Sequence, residues 1–313
     1  MFADAETAAA ADASLSEEPA ARAGSNASAR KAIWIASYPK SGNTWVRVFL
    51  HNLLRELRGE AGAQDINGLH AWTGRESLDV AFTRRLAKPA REASLAEIAR
   101  ARPLAQADLV ANAERPVLLK THNAIANVEG HPTINLGVTL AAVYLLRNPL
   151  DVAVSYAHHS GHAVDHVIAF MANPQAMNDR TERHVYEFMG SWSFHVASWM
   201  SVIDRPVLIL RYEDLLSQPE RSFARLARFL RLEPSAAQLG AAIEKSSFAR
   251  LSRQEEERGF NERPQTAERF FRKGEEGQWK QALTKRQAAD VVAAHGPMMM
   301  RFGYVAEDCG ARV

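Results

Sequence analysis

Short, uninterrupted apolar runs alternate in this chain with stretches whose apolar residues recur at helical spacing. The first run, residues 32–37 (AIWIAS), lacks the polar alternation of a half-exposed strand and is typical of a strand buried on both faces. Similar runs lie at 117–120, 141–146 and 206–210, and a helical pattern at 46–57 follows the first run. Strands that alternate with helices predict an α/β fold, with a mostly parallel sheet flanked by helices.

Three more helices are predicted over 95–101, 191–203 and 219–230, where apolar residues recur on one face. The first of them opens with Ser94 and has Glu97 three residues later, which is the sequence of a capping box.

The stretch 253–277 is highly charged and has little apolar periodicity. Two interpretations are open for it: a solvated loop, or a mobile cover over a site.

The chain has 313 residues, which is enough for one or two domains. Residues 1–30 contain almost no large apolar side chains, so we predict a disordered tail there, one domain over 31–306 and a C-terminal tail over 307–313. No apolar stretch approaches the ~18 residues of a membrane span, and the N-terminus lacks the features of a signal peptide. The single cysteine, Cys309, excludes a disulfide framework. We therefore expect a cytoplasmic protein without integral membrane contact.

Charge is nearly balanced, with 38 lysines and arginines against 36 aspartates and glutamates. A nucleic-acid-coating protein would be strongly basic, so no nucleic-acid partner is predicted. A local basic pocket remains compatible with this average, because net charge says nothing about clustering.

The turn after the first strand has the composition of a phosphate cradle. Backbone N–H groups of Ser41, Gly42, Asn43 and Thr44 would meet at a helix N-terminus, which favours an anion. Lys40 precedes the Ser-Gly pair, whereas a Walker-type motif places its lysine after the glycine. Taken alone, this segment has an alternative interpretation, namely a strand-to-helix turn whose lysine is incidental and binds no phosphate.

Five segments of the chain resemble motifs of the cytosolic-type sulfotransferase family. SYPKSGNTW at 37–45 resembles its 5′-phosphosulfate loop, and LRNPLDVAVS at 146–155 resembles its 3′-phosphate motif. FRKGEEGQWKQALT at 271–284 resembles its C-terminal signature, while KTH at 120–122 and RYEDL at 211–215 match shorter segments. All five stand in family order.

This resemblance implies a sulfotransferase fold with a P-loop-like cradle and 3′-phosphoadenosine 5′-phosphosulfate as the donor, without a metal. It implies that Trp45 and Phe248 flank the adenine, and that Arg147 and Ser155 bind the 3′-phosphate. The full set of implied cofactor-binding residues is Lys40, Ser41, Gly42, Asn43, Thr44, Trp45, Arg147, Ser155, Tyr212, Phe248, Arg272, Lys273 and Gly274.

The predicted reaction is transfer of a sulfuryl group to a hydroxyl or amine. His122 is the candidate general base, Lys40 the cation that stabilises the leaving phosphate, and Lys120 an additional positive charge. A P-loop-type small-molecule kinase and a catalytically silent nucleotide-binding protein are the alternatives. The position of Lys40 disfavours the first, and the presence of a candidate base disfavours the second.

Two positions depart from the family motifs. Asn43 replaces a threonine of the 5′ loop, and Gln278 replaces an aspartate, so a charge pairing made by that aspartate is not expected in this chain.

Four histidines, at 158, 159, 162 and 166, have spacings that could place imidazoles on one helix face. No acidic or cysteine partner is spaced to complete a metal site, so we interpret them as lining an acceptor pocket or facing solvent.

The acceptor is predicted to be a small molecule, bound in variable segments with a partly aromatic content. The aromatic candidates are Trp72, Phe82, His131, Phe170 and Tyr186. The alanine- and arginine-rich composition suggests a bacterial member of the family.

Overall fold

A computed structural model describes residues 30–305 of the chain. The predicted tails, apart from Arg30, lie outside the described residues, as does Cys309. Nine strands are found within the described part: β1 (Ala32–Ser37), β2 (Thr73–Arg75), β3 (Val117–Thr121), β4 (Asn127–Val128), β5 (His131–Pro132), β6 (Thr139–Leu146), β7 (Met177–Asn178), β8 (Glu187–Phe188) and β9 (Val207–Arg211).

Five of these strands form one parallel sheet in the order β2-β3-β1-β6-β9. The mostly parallel sheet predicted from the apolar runs is thereby confirmed. Two small antiparallel pairs, β4–β5 and β7–β8, lie outside it.

Helices cover the sheet, and every connection between its strands except the one from β3 to β6 carries at least one α-helix. In chain order they are α1 (Asn43–Leu57), α2 (Asp79–Leu86), α3 (Leu95–Val110), α4 (Pro149–Ser160), α5 (Val164–Ala172), α6 (Trp192–Met200), α7 (Tyr212–Ser217), α8 (Pro219–Phe229), α9 (Ala236–Lys245), α10 (Phe248–Arg258), α11 (Trp279–Ala282) and α12 (Lys285–Arg301). The capping box predicted at Ser94 and Glu97 is present, although the helix runs on to Val110.

Apolar side chains leave the two faces of the sheet alternately, because successive residues of a strand point to opposite sides. On one face Trp34 and Tyr144 pack with Trp192 and Trp199 of the helical layer. On the other face Ile35 of β1 joins a separate cluster with residues of α1, α8 and α9. Burial on both faces explains why β1 and β6 are continuous apolar runs.

Two predictions about organisation are corrected by the structure. The sheet has a fifth strand, β2, which the apolar runs did not indicate because its three residues are Thr-Gly-Arg. The charged stretch 253–277 is not irregular from its start, because α10 continues through Arg258. That helix buries only Leu251 and Glu255, which is too little apolar content for a periodic pattern.

The carboxyl ends of parallel strands meet at one edge of a sheet, where ligands bind in such folds. Along this edge the chain places Tyr212 after β9, Arg147 after β6, the 38–44 turn after β1 and His122 after β3. Arg75 ends β2, at the far side of the row.

Candidate active site

The turn between β1 and α1 has the geometry of an anion cradle. Lys40 and Gly42 have positive φ angles of 67° and 97°. A Cβ at position 42 would lie 2.9 Å from the Tyr212 ring, so the site requires glycine. The first turn of α1 has neither a side-chain cap nor an acidic residue, and the Ser41 hydroxyl is buried with no partner among the described residues. Uncapped N–H groups and a free hydroxyl are what an anion would satisfy.

Arg147 connects the motifs that surround this turn. Its Nη1 atom donates to the carbonyl of Lys40 at 3.0 Å, and its Nη2 atom donates to the carbonyl of Glu275 at 3.2 Å. The guanidinium carbon lies 4.2 Å from the centre of the Tyr212 ring. Its buried Nε atom has no partner among residues 30–305. A guanidinium that is oriented this firmly and keeps a free donor suits a phosphate.

A cavity of about 290 Å³ opens beside the turn. Every implied cofactor-binding residue except Ser41 lines it, and so do Lys120 and His122. Ser155 lies in the second turn of α4, deeper in the helix than the sequence suggested. Phe248 packs so closely on Gly274 that a Cβ at position 274 would collide with its ring. The structure therefore gathers residues from six distant segments around one space.

Asn43 and Gln278, the two departures from the family motifs, make internal contacts. The Asn43 amide donates to the carbonyl of Ile35 at 2.9 Å, and its oxygen accepts from Arg47 at 3.1 Å. Gln278 accepts a hydrogen bond from Arg272. The C-terminal segment is instead fixed by Asp151, which accepts from the backbone N–H groups of residues 277 and 279 at 2.7 and 3.0 Å.

His122 is held from three sides. Its Nδ1 atom lies 2.8 Å from the carbonyl oxygen of Ser37, which can only accept, so Nδ1 carries the proton. Its backbone N–H donates to Glu187, and its carbonyl accepts from His195 at 3.0 Å. Burial and the positive charge of Lys120 lower the pKa of His122 to about 3. The ring is therefore neutral at physiological pH, with Nε2 as a proton acceptor.

Two lysines of the cavity have pKa values well below the usual value for lysine. Burial, reinforced by Arg147, lowers the pKa of Lys40 to about 7, and burial together with Arg75 lowers the pKa of Lys120 to about 7. Lys40 Nζ lies 3.2 Å from Nδ1 of His159 and 4.2 Å from the centre of the Phe270 ring. An anion placed between the lysines would favour their charged forms.

The charged segment supplies a carboxylate that sequence reasoning missed. Glu262 forms a bidentate pair with Arg47 at 2.9 and 2.6 Å, and its Oε2 atom lies 3.7 Å from Lys120 Nζ. Burial alone would raise the pKa of Glu262, but Lys120 and Arg47 hold it well below the usual range. Glu255 accepts from the backbone N–H groups of Phe270 and Phe271, both at 2.8 Å. The segment therefore forms a wall of the cavity, which favours a cover over a solvated loop, and the mobility of that cover stays a prediction.

The aromatic residues predicted to form the acceptor pocket do not line this cavity. Phe82 belongs to a separate core cluster, and Trp72 packs against Arg58. The cavity is lined instead by Phe271 of the C-terminal motif and by residues that the sequence did not single out, namely Arg75, Tyr156, Asn178, Glu187 and Phe270. They lie on short strands, on α4 and on the charged segment, where no motif or period marks them.

The four histidines separate in the structure. His159 lines the cavity, whereas His158, His162 and His166 are exposed. Within residues 30–305 no group of three or more His, Cys, Asp or Glu side chains is arranged to hold a metal ion. In the same part of the chain, no helix is long and apolar enough to cross a membrane.

Comparison with known proteins decides the family. A family profile described as a sulfotransferase domain matches residues 30–303. The chain belongs to the sulfotransferase family. Sulfotransferase 1B1 from dog is 30% identical over 268 residues, covering 82% of this chain and 79% of the dog protein. Cytosolic sulfotransferase 15 from Arabidopsis thaliana is 28% identical over 262 residues, covering 81% and 67% of the two chains.

Solved structures agree on the sulfotransferase fold. Mouse sulfotransferase SULT7A1 complexed with PAP has a TM-score of 0.56 at 18% identity, over 90% of this chain and 86% of the mouse chain. Retinol dehydratase in complex with androsterone and the inactive cofactor PAP has a TM-score of 0.59 at 20% identity, over 86% and 81% of the two chains. The relatives named here are animal and plant proteins, so the bacterial source stays a prediction.

Proposed function

We propose that this sulfotransferase transfers a sulfuryl group from 3′-phosphoadenosine 5′-phosphosulfate to a hydroxyl or amine of a small molecule. The observation that carries the proposal is the neutral His122, whose Nε2 atom is free to accept a proton in a cavity that also contains Lys40 and Lys120. A cytosolic location is proposed by analogy with the name of the plant relative.

The residues present fit the donor. The uncapped N-terminus of α1 and the free Ser41 hydroxyl would bind the 5′ end. Arg147, with a buried Nε atom left without a partner, would bind the 3′-phosphate together with Ser155, Arg272, Lys273 and the backbone of Gly274. Trp45 and Phe248 line the same cavity and would flank the adenine, with Tyr212 close to Trp45 at 5.7 Å between ring centres.

When bound, the donor supplies a sulfuryl group whose S–O bond to the 5′-phosphate breaks as the acceptor atom bonds to sulfur. His122 Nε2 takes the proton from the acceptor, and its hydrogen bond from Nδ1 to Ser37 orients the ring and stabilises the imidazolium that forms. Lys40 stabilises the negative charge that develops on the leaving phosphate, and Lys120 adds positive charge beside the transferring group.

The test is His122→Ala, assayed for transfer from labelled donor and for PAP affinity. A positioned general base contributes about 10²–10⁴-fold to rate, so transfer should fall by that factor while PAP affinity is retained. His166→Ala, at an exposed histidine outside the cavity, is the matched control and should leave transfer unchanged. Normal turnover in His122→Ala would exclude His122 as the base, and absence of PAP binding by the unmodified enzyme would exclude the proposed donor.

A further inference from the structure

Arg75 is a positively charged residue that lines the cavity and has no role in the proposed binding of the donor. It ends β2 and pairs in register with Lys120 of β3. Registered neighbours in a sheet present their side chains on the same face, and both side chains line the cavity. The next residue, Glu76, turns to the opposite side and is fully buried against Arg102. Because successive side chains of a strand point to opposite sides of the sheet, the Arg75 side chain lies on the side of the cavity.

The strand order locates Arg75 relative to the donor contacts. Residues implied in donor binding follow β1, β6 and β9, whereas the candidate base follows β3 and Arg75 ends β2. Because adjacent strands lie about 4.8 Å apart, β2 lies about 10 Å from β1, on the side opposite to β6. A group bound by Arg75 would therefore lie beyond His122, where the acceptor must enter.

The Arg75 guanidinium has no hydrogen bond to any residue of the described chain. Its nearest carboxylate is Glu187, at 4.0 Å, and its Nε atom is buried without a partner. The side chain is 26% exposed, so the fork is open to the cavity. A guanidinium has five N–H donors in one plane, and two of them can form parallel hydrogen bonds to the two oxygens of a carboxylate.

The two carboxylates of the cavity are, in contrast, already engaged. Glu262 is paired with Arg47 and lies near Lys120, and Glu187 accepts the backbone N–H of His122 at 3.2 Å. A positively charged acceptor would have to compete for these groups and would face Lys120 and Arg75. An anionic acceptor meets a guanidinium whose hydrogen-bonding capacity is unused.

We propose that Arg75 binds a carboxylate of the acceptor, so that the preferred substrates are hydroxyl compounds that carry a carboxylate away from the reacting oxygen. Asn178, which pairs in register with Glu187, adds a donor to the cavity, since its side-chain oxygen accepts from the Tyr156 hydroxyl at 2.7 Å and its amide nitrogen is left available. That the bound compound is a sulfuryl acceptor rests on the proposed function. That Arg75 binds a carboxylate in the cavity does not rest on it.

The experiment is calorimetric binding to the PAP-loaded enzyme, with ligands matched in shape and different in charge. One set is p-hydroxyphenylacetate, p-ethylphenol and tyramine, and a second, aliphatic set is γ-hydroxybutyrate, n-butanol and aminobutanol. In the unmodified protein the anionic member of at least one set should bind at least tenfold more tightly than the neutral member. Arg75→Gln should remove this difference, and Arg75→Glu should make the cationic member the tightest ligand.

Arg84→Gln is the matched control, because it removes the same charge from an exposed side chain on α2. It should keep the preference for the anion. Equal affinities within both sets, no measurable binding of either anion, or an anionic preference that survives Arg75→Gln would each overturn the proposal. If the proposed function is wrong, a different result is expected: the unmodified enzyme does not bind PAP, or His122→Ala transfers the sulfuryl group at the normal rate.

Discussion

The half of the cavity on the β1, β6 and β9 side is built around one continuous turn, residues 40–45, whereas the half on the β2 and β3 side has no such turn and is assembled from residues far apart in the chain. We call the first, with residues 40–45, Arg147 and Tyr212, the donor half, because donor binding is proposed there. The second, with Arg75, Lys120, His122, Asn178 and Glu187, is the acceptor half.

The turn at residues 40–45 depends on backbone geometry, and this explains why its residues are contiguous. An uncapped helix N-terminus, two positive φ angles and a glycine pressed against Tyr212 must occur at fixed positions in one turn. The acceptor half contacts the cavity through side chains from four strands, β2, β3, β7 and β8, and from the loop that follows β3. Such side chains can be exchanged one at a time without changing the backbone, so no contiguous pattern results apart from the KTH segment at 120–122.

Removing Lys40 should produce the largest effect in the donor half. Lys40→Met should lower transfer by about 10²–10³-fold, because a preorganised donor to developing charge is lost. Lys40→Arg should restore part of this loss, since the charge is kept. The measurement is kcat with saturating donor, and Lys88→Met, whose lysine pairs with Glu97 away from the cavity, is the control. A loss below tenfold would mean that another cation stabilises the leaving phosphate.

The same division between halves explains what could be predicted from the sequence. The parallel sheet and the turn at 38–44 were predictable, because buried strands are continuous apolar runs and the turn must keep its residues in sequence. Arg75 was missed because β2 is only three residues long and contains no apolar alternation. Glu262 was missed because a carboxylate in a charged stretch looks solvated until its guanidinium partner on α1 is placed beside it.

The pair between Arg47 and Glu262 joins the two halves and should have an intermediate effect. The Arg47 side chain is only 3% exposed, so Glu262→Gln leaves a buried charge without its counterion. We expect this to lower the free energy of unfolding by about 2 kcal/mol, less than for a fully buried pair because Glu262 is 25% exposed.

A double-mutant cycle with Arg47→Met isolates this interaction, measured by denaturant unfolding. The double variant should be destabilised by less than the sum of the single variants, with a coupling of about 1–3 kcal/mol. The exposed pair Arg269–Glu256 is the control and should show a coupling of under about 1 kcal/mol. Additive effects at Arg47 and Glu262 would mean that the charged segment is fixed by Glu255 and the Phe residues instead.

The smallest expected effect is the uptake of a proton when PAP binds in the donor half. In the ligand-free protein, burial and Arg147 lower the pKa of Lys40 to about 7, so at about pH 8 this lysine is mostly neutral. A nearby phosphate favours the charged form and raises the pKa, so binding PAP requires a proton. At about pH 6 the lysine is already charged in the free protein, and no proton is needed.

Calorimetry of PAP binding in buffers of different ionisation enthalpy measures this uptake. We expect close to one proton at about pH 8, almost none at about pH 6, and an affinity that decreases as the pH rises through 7. Lys40→Met should remove most of the uptake. Lys120 also has a pKa of about 7, but it lies in the acceptor half beside Glu262, so PAP, which has no sulfuryl group, should change its charge less. Uptake that persists in Lys40→Met and disappears in Lys120→Met would place the phosphate in the acceptor half and contradict the division proposed here.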